Sequence, residues 1–89
     1  MSIFVVLSRM PNSKLEARIV KEFPTDHYVL SPTQWLIRSE GTSIDLSQKI
    51  GIIENGKRGD TAPGLVLSVS GYYGSETPDL WEWLKAKWE

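Results

Sequence analysis

The order of the apolar runs constrains this chain more than any motif does. Ile3-Phe4-Val5-Val6-Leu7 comes first, and a helical stretch over residues 15–23 follows. Next come two short β-prone runs, Tyr28-Val29-Leu30 and Trp35-Leu36-Ile37, joined by Ser31-Pro32-Thr33. A short helical stretch over 44–50 precedes a last strand over 65–69. An aromatic helix over 77–88 closes the sequence. Read in order, the pattern is βαββαβ with one helix appended.

Eighty-nine residues suffice for one domain and are too few for two, so the expectation is a single domain over 1–89, with a core over 3–70. A domain of this size buries only about 60–65% of its unfolded surface, and a dimer interface would add to that. Ten Lys and Arg stand against eleven Asp and Glu. That balance produces no global basic field for nucleic acid, though a local patch remains open. With no cysteine, there is no thiolate metal site, no cysteine nucleophile and no disulfide framework, and a reducing cytoplasm suits the chain. No run approaches the roughly 20 apolar residues a membrane span needs, and residues 3–7 lack the basic flank of a signal peptide.

Local signals place the elements. Ser13-Lys14-Leu15-Glu16 is a capping-box pattern, and Leu15, Ile19 and Phe23 recur at i+4 as one apolar stripe. Pro24 ends that helix near Glu22. Thr42 or Ser43 caps the second helix, Ile44 and either Leu46 or Ser47 lie on its first inner turn, Leu46 and Ile50 are i+4 neighbours, and Gly51 stops it. Three glycines and a proline over 54–64 predict a mobile loop, with a small hairpin headed by Asn55-Gly56 as the alternative. Leu65, Leu67 and Val69 alternate with Val66, Ser68 and Ser70, the pattern of a half-exposed edge strand. Thr77-Pro78-Asp79 is a strong helix start, and Leu80, Trp81, Leu84 and Trp88 form a docking stripe.

Continuous apolar character puts the first and third strands inside the sheet and leaves the second and fourth at its edges. The expected architecture is an α+β, ferredoxin-like βαββαβ two-layer sandwich. Its antiparallel sheet has the order 4-1-3-2, and its two inner helices share one face. The opposite face then needs cover from the C-terminal helix, from a second subunit or from both, or Phe4, Val6, Trp35 or Ile37 would meet water.

The Ser31-Pro32-Thr33-Gln34-Trp35 turn, the Thr42-Ser43 helix start and the strand over 64–69 resemble the small ferredoxin-like proteins related to the CRISPR adaptation nuclease family. The resemblance covers roughly residues 3–70. It implies a homodimer with paired sheets and, in the nuclease branch, a metal-holding aspartate at the end of the first strand. That place reads Leu7-Ser8-Arg9 here, which speaks against metal-dependent nuclease chemistry.

Asp26 and His27, with several serines, make a catalytic triad arithmetically possible, but no spacing or nucleophile elbow selects one. His27 reads as a solvated residue at a strand end. Asp26, His27, Glu40 and Asp45 carry no metal-ligand spacing. The Gly56-Lys57-Arg58-Gly59 segment precedes a strand rather than a helix, so it fails as a phosphate cradle. The aromatics say more. Trp83 lies about 160° around its helix from Trp81, so one docking face does not bury both. Trp83, Tyr72 and Tyr73, with Lys57 and Arg58, are therefore the candidate interface or binding residues. The expected protein is a non-catalytic homodimeric interaction module. Neither cofactor nor metal is expected; the expected partner is a second copy of the chain, with another protein as a further possibility. A nucleic-acid-binding protein or degenerate nuclease relative is the alternative.

Overall fold

A computed structural model describes residues 2–71, 74–75 and 77–88. The elements in chain order are β1 (Ser2–Leu7), α1 (Ser13–Glu22), β2 (His27–Ser31), β3 (Gln34–Ser39), α2 (Ser43–Lys49), β4 (Ile53–Glu54), β5 (Lys57–Arg58), β6 (Leu65–Val69) and α3 (Pro78–Lys87). The protein is a mixed α+β structure. Four strands form an antiparallel sheet in the order β2-β3-β1-β6, and β4 and β5 form a separate two-stranded ribbon.

The two inner strands, β1 and β3, are the uninterrupted apolar ones. Their register sets Phe4 opposite Ile37 and Val6 opposite Trp35. Because side chains alternate along a strand, these four residues point to one face. There α1 contributes Leu15 and Ile19, α2 contributes Leu46, and Phe23, Ile50 and Ile52 complete the cluster. Phe4, Val6, Trp35 and Ile37 are thus core residues beneath α1 and α2, not residues of an uncovered face.

The opposite face is built from Ile3, Val5, Leu36 and Val69, and α3 covers it with Leu80 and Leu84. The C-terminal helix therefore supplies cover that the sequence left open between it and a second subunit. Lys87 Nζ lies 2.8 Å from Asp26 Oδ1 and fixes the end of α3 to the chain just before β2.

Trp83 and Trp81 are both half-buried, and both pack on the same cluster as Trp88. The reason is geometric. At about 100° per residue, the midpoint between Leu80 and Leu84 lies about 80° from Trp81 on one side and about 80° from Trp83 on the other. Large rings at those angles reach the sheet from both flanks of the helix.

Helix caps follow local chemistry. Asn12, not Ser13, caps α1: its Oδ1 accepts from the Leu15 N–H at 3.1 Å, and its Nδ2 donates to the Thr61 carbonyl at 2.8 Å. The amide can do both jobs, whereas a serine hydroxyl could not span them. Thr42 and Asp45 form a reciprocal capping box on α2.

The segment read as a mobile loop is the β4–β5 ribbon, the hairpin alternative. Asn55 and Gly56 turn it with φ of 52° and 75°, a left-handed pair suited to a two-residue hairpin. Gly59 N–H donates to the Ile52 carbonyl at 2.7 Å, Thr61 N–H to Gly51 at 3.1 Å, and Thr61 Oγ1 to Ile50 at 2.8 Å. The glycines there permit close backbone approach rather than looseness.

Candidate interaction surface

The sheet has two edges, and they differ. β2 pairs with β3 through an irregular register, with a shift between Val29 and Ser31. Such a bulge interrupts the row of backbone groups that another strand would need. β6 pairs with β1 without interruption from Leu65 to Val69. Its outer side is an unbroken strand edge.

Side chains along β6 sharpen the difference. Register places Leu65, Leu67 and Val69 opposite Leu7, Val5 and Ile3, on the α3 side of the sheet. α3 reaches Val69 but leaves Leu65 and Leu67 54% and 44% exposed. On the other face, Ile44 of α2 is 67% exposed and lines a notch with Ile53 and Val66. Large apolar side chains thus flank the β6 edge on both faces. No charged residue lies between Asp60 and Glu76.

The structure separates the residues singled out from the sequence. Trp83 faces Tyr28, with ring centroids 6.0 Å apart and planes tilted by 53°. Its indole Nε1 is buried with no hydrogen-bond partner among the described residues. Lys57 and Arg58 are exposed on the small ribbon, paired with Glu54 and Ile53. Tyr72 and Tyr73 lie outside the described residues. The sequence places Ile44 on the first inner turn of α2, whereas it is exposed, because Leu46 and Ile50 take the side that faces the core; Leu65 and Leu67 read from the sequence only as strand residues. Their signal was present in the alternation of β6, but not in the identity of the face left uncovered.

The groups considered for catalysis are engaged elsewhere. His27 is half-buried rather than solvated, and its Nδ1 lies 2.5 Å from the Phe23 carbonyl oxygen. Asp26 pairs with Lys87. A cleft of about 300 Å³ lies where the end of α1, the end of β3 and α2 meet, lined by Glu22, Asp26, Arg38, Glu40, Asp45 and Lys49. Its charges are mixed in sign, and Lys49 Nζ rests 5.0 Å from the Phe23 ring centroid, a cation–π distance. Among the described residues, no three His, Asp or Glu side chains group as metal ligands. No described helix is long and apolar enough to cross a membrane.

Comparison with known proteins finds no matching family model, no matching curated protein and no matching solved structure.

Proposed function

We propose that this protein is a non-catalytic homodimeric interaction module with a ferredoxin-like fold, working in the cytoplasm. One observation carries the association reading: the exposed apolar residues Leu65, Leu67 and Ile44 line the unbroken edge strand β6. An uninterrupted edge with apolar flanks and no charge is what natural proteins avoid leaving in water, so its occupation is the economical explanation. The non-catalytic reading draws on Leu7-Ser8-Arg9 at the end of β1 and on the separate engagement of Asp26 and His27. The ferredoxin-like designation draws on the sheet order, in which β6, the last of the four sheet strands, lies beside β1. The cytoplasmic assignment draws on the cysteine-free composition.

Native mass spectrometry and light scattering of the purified protein at micromolar concentration test this reading. A species with the mass of two chains supports it. A strict monomer with intact secondary structure overturns it.

A second reading, nucleic-acid binding by a relative of the CRISPR adaptation nucleases, draws on Lys57 and Arg58. They stand adjacent and exposed along β5 of the ribbon. Tryptophan quenching by short RNA and DNA, titrated against salt, separates it from the first. Binding that weakens steeply with salt and is lost in the Lys57→Ala, Arg58→Ala double variant would favour it.

A further inference from the structure

We propose that two copies of the chain join through antiparallel pairing of β6 with β6, centred on Leu67, so that two four-stranded sheets become one continuous sheet. The inference rests on the homodimer reading and adds to it the strand, the direction and the register.

The backbone fixes which groups are available. Ser8 N–H donates to the Thr33 carbonyl at 2.9 Å, one step beyond the Leu7–Gln34 pair of β1 and β3. In an antiparallel ladder, successive residues direct their N–H and C=O groups alternately to one neighbour and then the other. Even-numbered residues of β1 therefore bond to β3, and Ile3, Val5 and Leu7 bond to β6. Their partners Val69, Leu67 and Leu65 use their backbone groups inward. Val66 and Ser68 then direct theirs to the open edge.

That spacing is complementary to itself. Setting Val66 opposite Ser68 of a second copy lets each pair exchange two N–H···O=C bonds, and the twofold repeats the exchange. This register overlaps all five residues of β6. It places Leu67 opposite Leu67 of the second copy in the close, non-hydrogen-bonded position, and Leu65 opposite Val69 of the second copy. A twofold axis normal to the sheet keeps these leucines on one face, where each covers the apolar surface α3 leaves bare on the other. The absence of charge from Thr61 to Ser75 means that no like charges on this segment oppose one another when it meets its own copy. The charge-free segment and the overlap of all five β6 residues commit the pairing to a second copy as occupant. β2 is not equivalent, because its bulge breaks the required row of donors and acceptors.

The cysteine-free chain allows a direct test. In a non-hydrogen-bonded antiparallel pair the Cα atoms lie about 4.5 Å apart, within the range of about 4.4–6.8 Å that disulfides span. Leu67→Cys should form a covalent dimer under mild oxidation. Leu65→Cys and Val69→Cys alone should not, while the double variant should. Val29→Cys on β2 serves as the control and should remain monomeric on a denaturing gel. Ser68→Pro is an independent check: it removes an outward N–H, a place where an edge strand tolerates proline. It should turn the dimer into a monomer while leaving the circular dichroism spectrum unchanged. If light scattering shows a dimer, yet Leu67→Cys does not cross-link and Ser68→Pro stays dimeric, the β6 register is overturned and the homodimer stands. If the unmodified protein is a monomer, both are overturned.

Discussion

Lys87 Nζ and Asp26 Oδ1 meet at 2.8 Å across a sequence separation of 61 residues. Both side chains are partly shielded, at 23% and 32% exposure. The pair couples the last turn of α3 to the entry of β2, so the covering helix is held by a charge as well as by its leucines. Because water still reaches both groups, the coupling is modest. A double-mutant cycle with Asp26→Asn and Lys87→Met should give about 0.5–1 kcal/mol, shrinking as salt is raised. Urea unfolding at two ionic strengths measures it.

Leu84 should matter more than the ion pair. It is 5% exposed and sits on the apolar face of the sheet with Ile3 and Leu36. Leu84→Ala should cost about 2–4 kcal/mol, a large share of the stability of a domain this small. Denaturant midpoints with an unchanged m-value would show loss of packing, and a fallen m-value would show that α3 has left the sheet.

Trp83 separates ring packing from polar burial. Its ring lies 6.0 Å from Tyr28, and its indole N–H is buried without a described partner. Trp83→Phe keeps an aromatic ring beside Tyr28 and removes the stranded N–H, so the two effects offset and stability should change by less than about 1 kcal/mol. Trp83→Ala loses the ring and should cost about 3 kcal/mol. Equal losses in the two variants would mean that the indole nitrogen has a role the geometry does not assign.

Gly59 and Gly56 should behave oppositely. A Cβ on Gly59 would collide with the Gly51 carbonyl oxygen, a backbone atom that cannot step aside. Gly59→Ala should therefore break the Gly59–Ile52 hydrogen bond and cost about 3 kcal/mol or more. Gly56 has φ of 75° but open space around its Cα. Gly56→Ala should cost about 1 kcal/mol from backbone conformation alone. Thermal unfolding of the two variants distinguishes steric from conformational cost.

The caps give a paired comparison of another kind. Asn12→Ala loses both the Leu15 cap and the tie to Thr61. Thr42→Ala loses only the local cap on α2 and its bond with Asp45. Thr42→Ala should cost about 1 kcal/mol, and Asn12→Ala should approach 2 kcal/mol. Amide hydrogen exchange should show the Asn12 variant loosening around Thr61 as well as at the start of α1.

These differences show what was legible in the residues. Uninterrupted apolar runs in β1 and β3 are enough to place them inside the sheet, because a strand flanked on both sides and covered on both faces has no use for alternation. Pro24 and Gly51 mark helix ends for steric reasons that hold in any context. The assignment of faces was not legible. Phe4 and Ile3 look alike as sequence, and only the docking of α1 and α2 decides which of them lies beneath those helices. The angle between Trp81 and Trp83 does not show where the stripe is centred: it lies between Leu80 and Leu84, so the two rings sit half-buried on its two flanks. The exposed edge was half visible: the alternation of β6 marks it as an edge strand, but the contribution of Ile44 depends on where α2 packs.

The irregular register between Val29 and Ser31 limits growth. A protein with two intact sheet edges can add copies at both ends and extend into a fibre. In the proposed dimer, pairing through β6 would consume the intact edge of each copy, and the pair would present only bulged β2 strands at its ends. The bulge would then terminate polymerisation and let the chain keep one adhesive strand without becoming a filament.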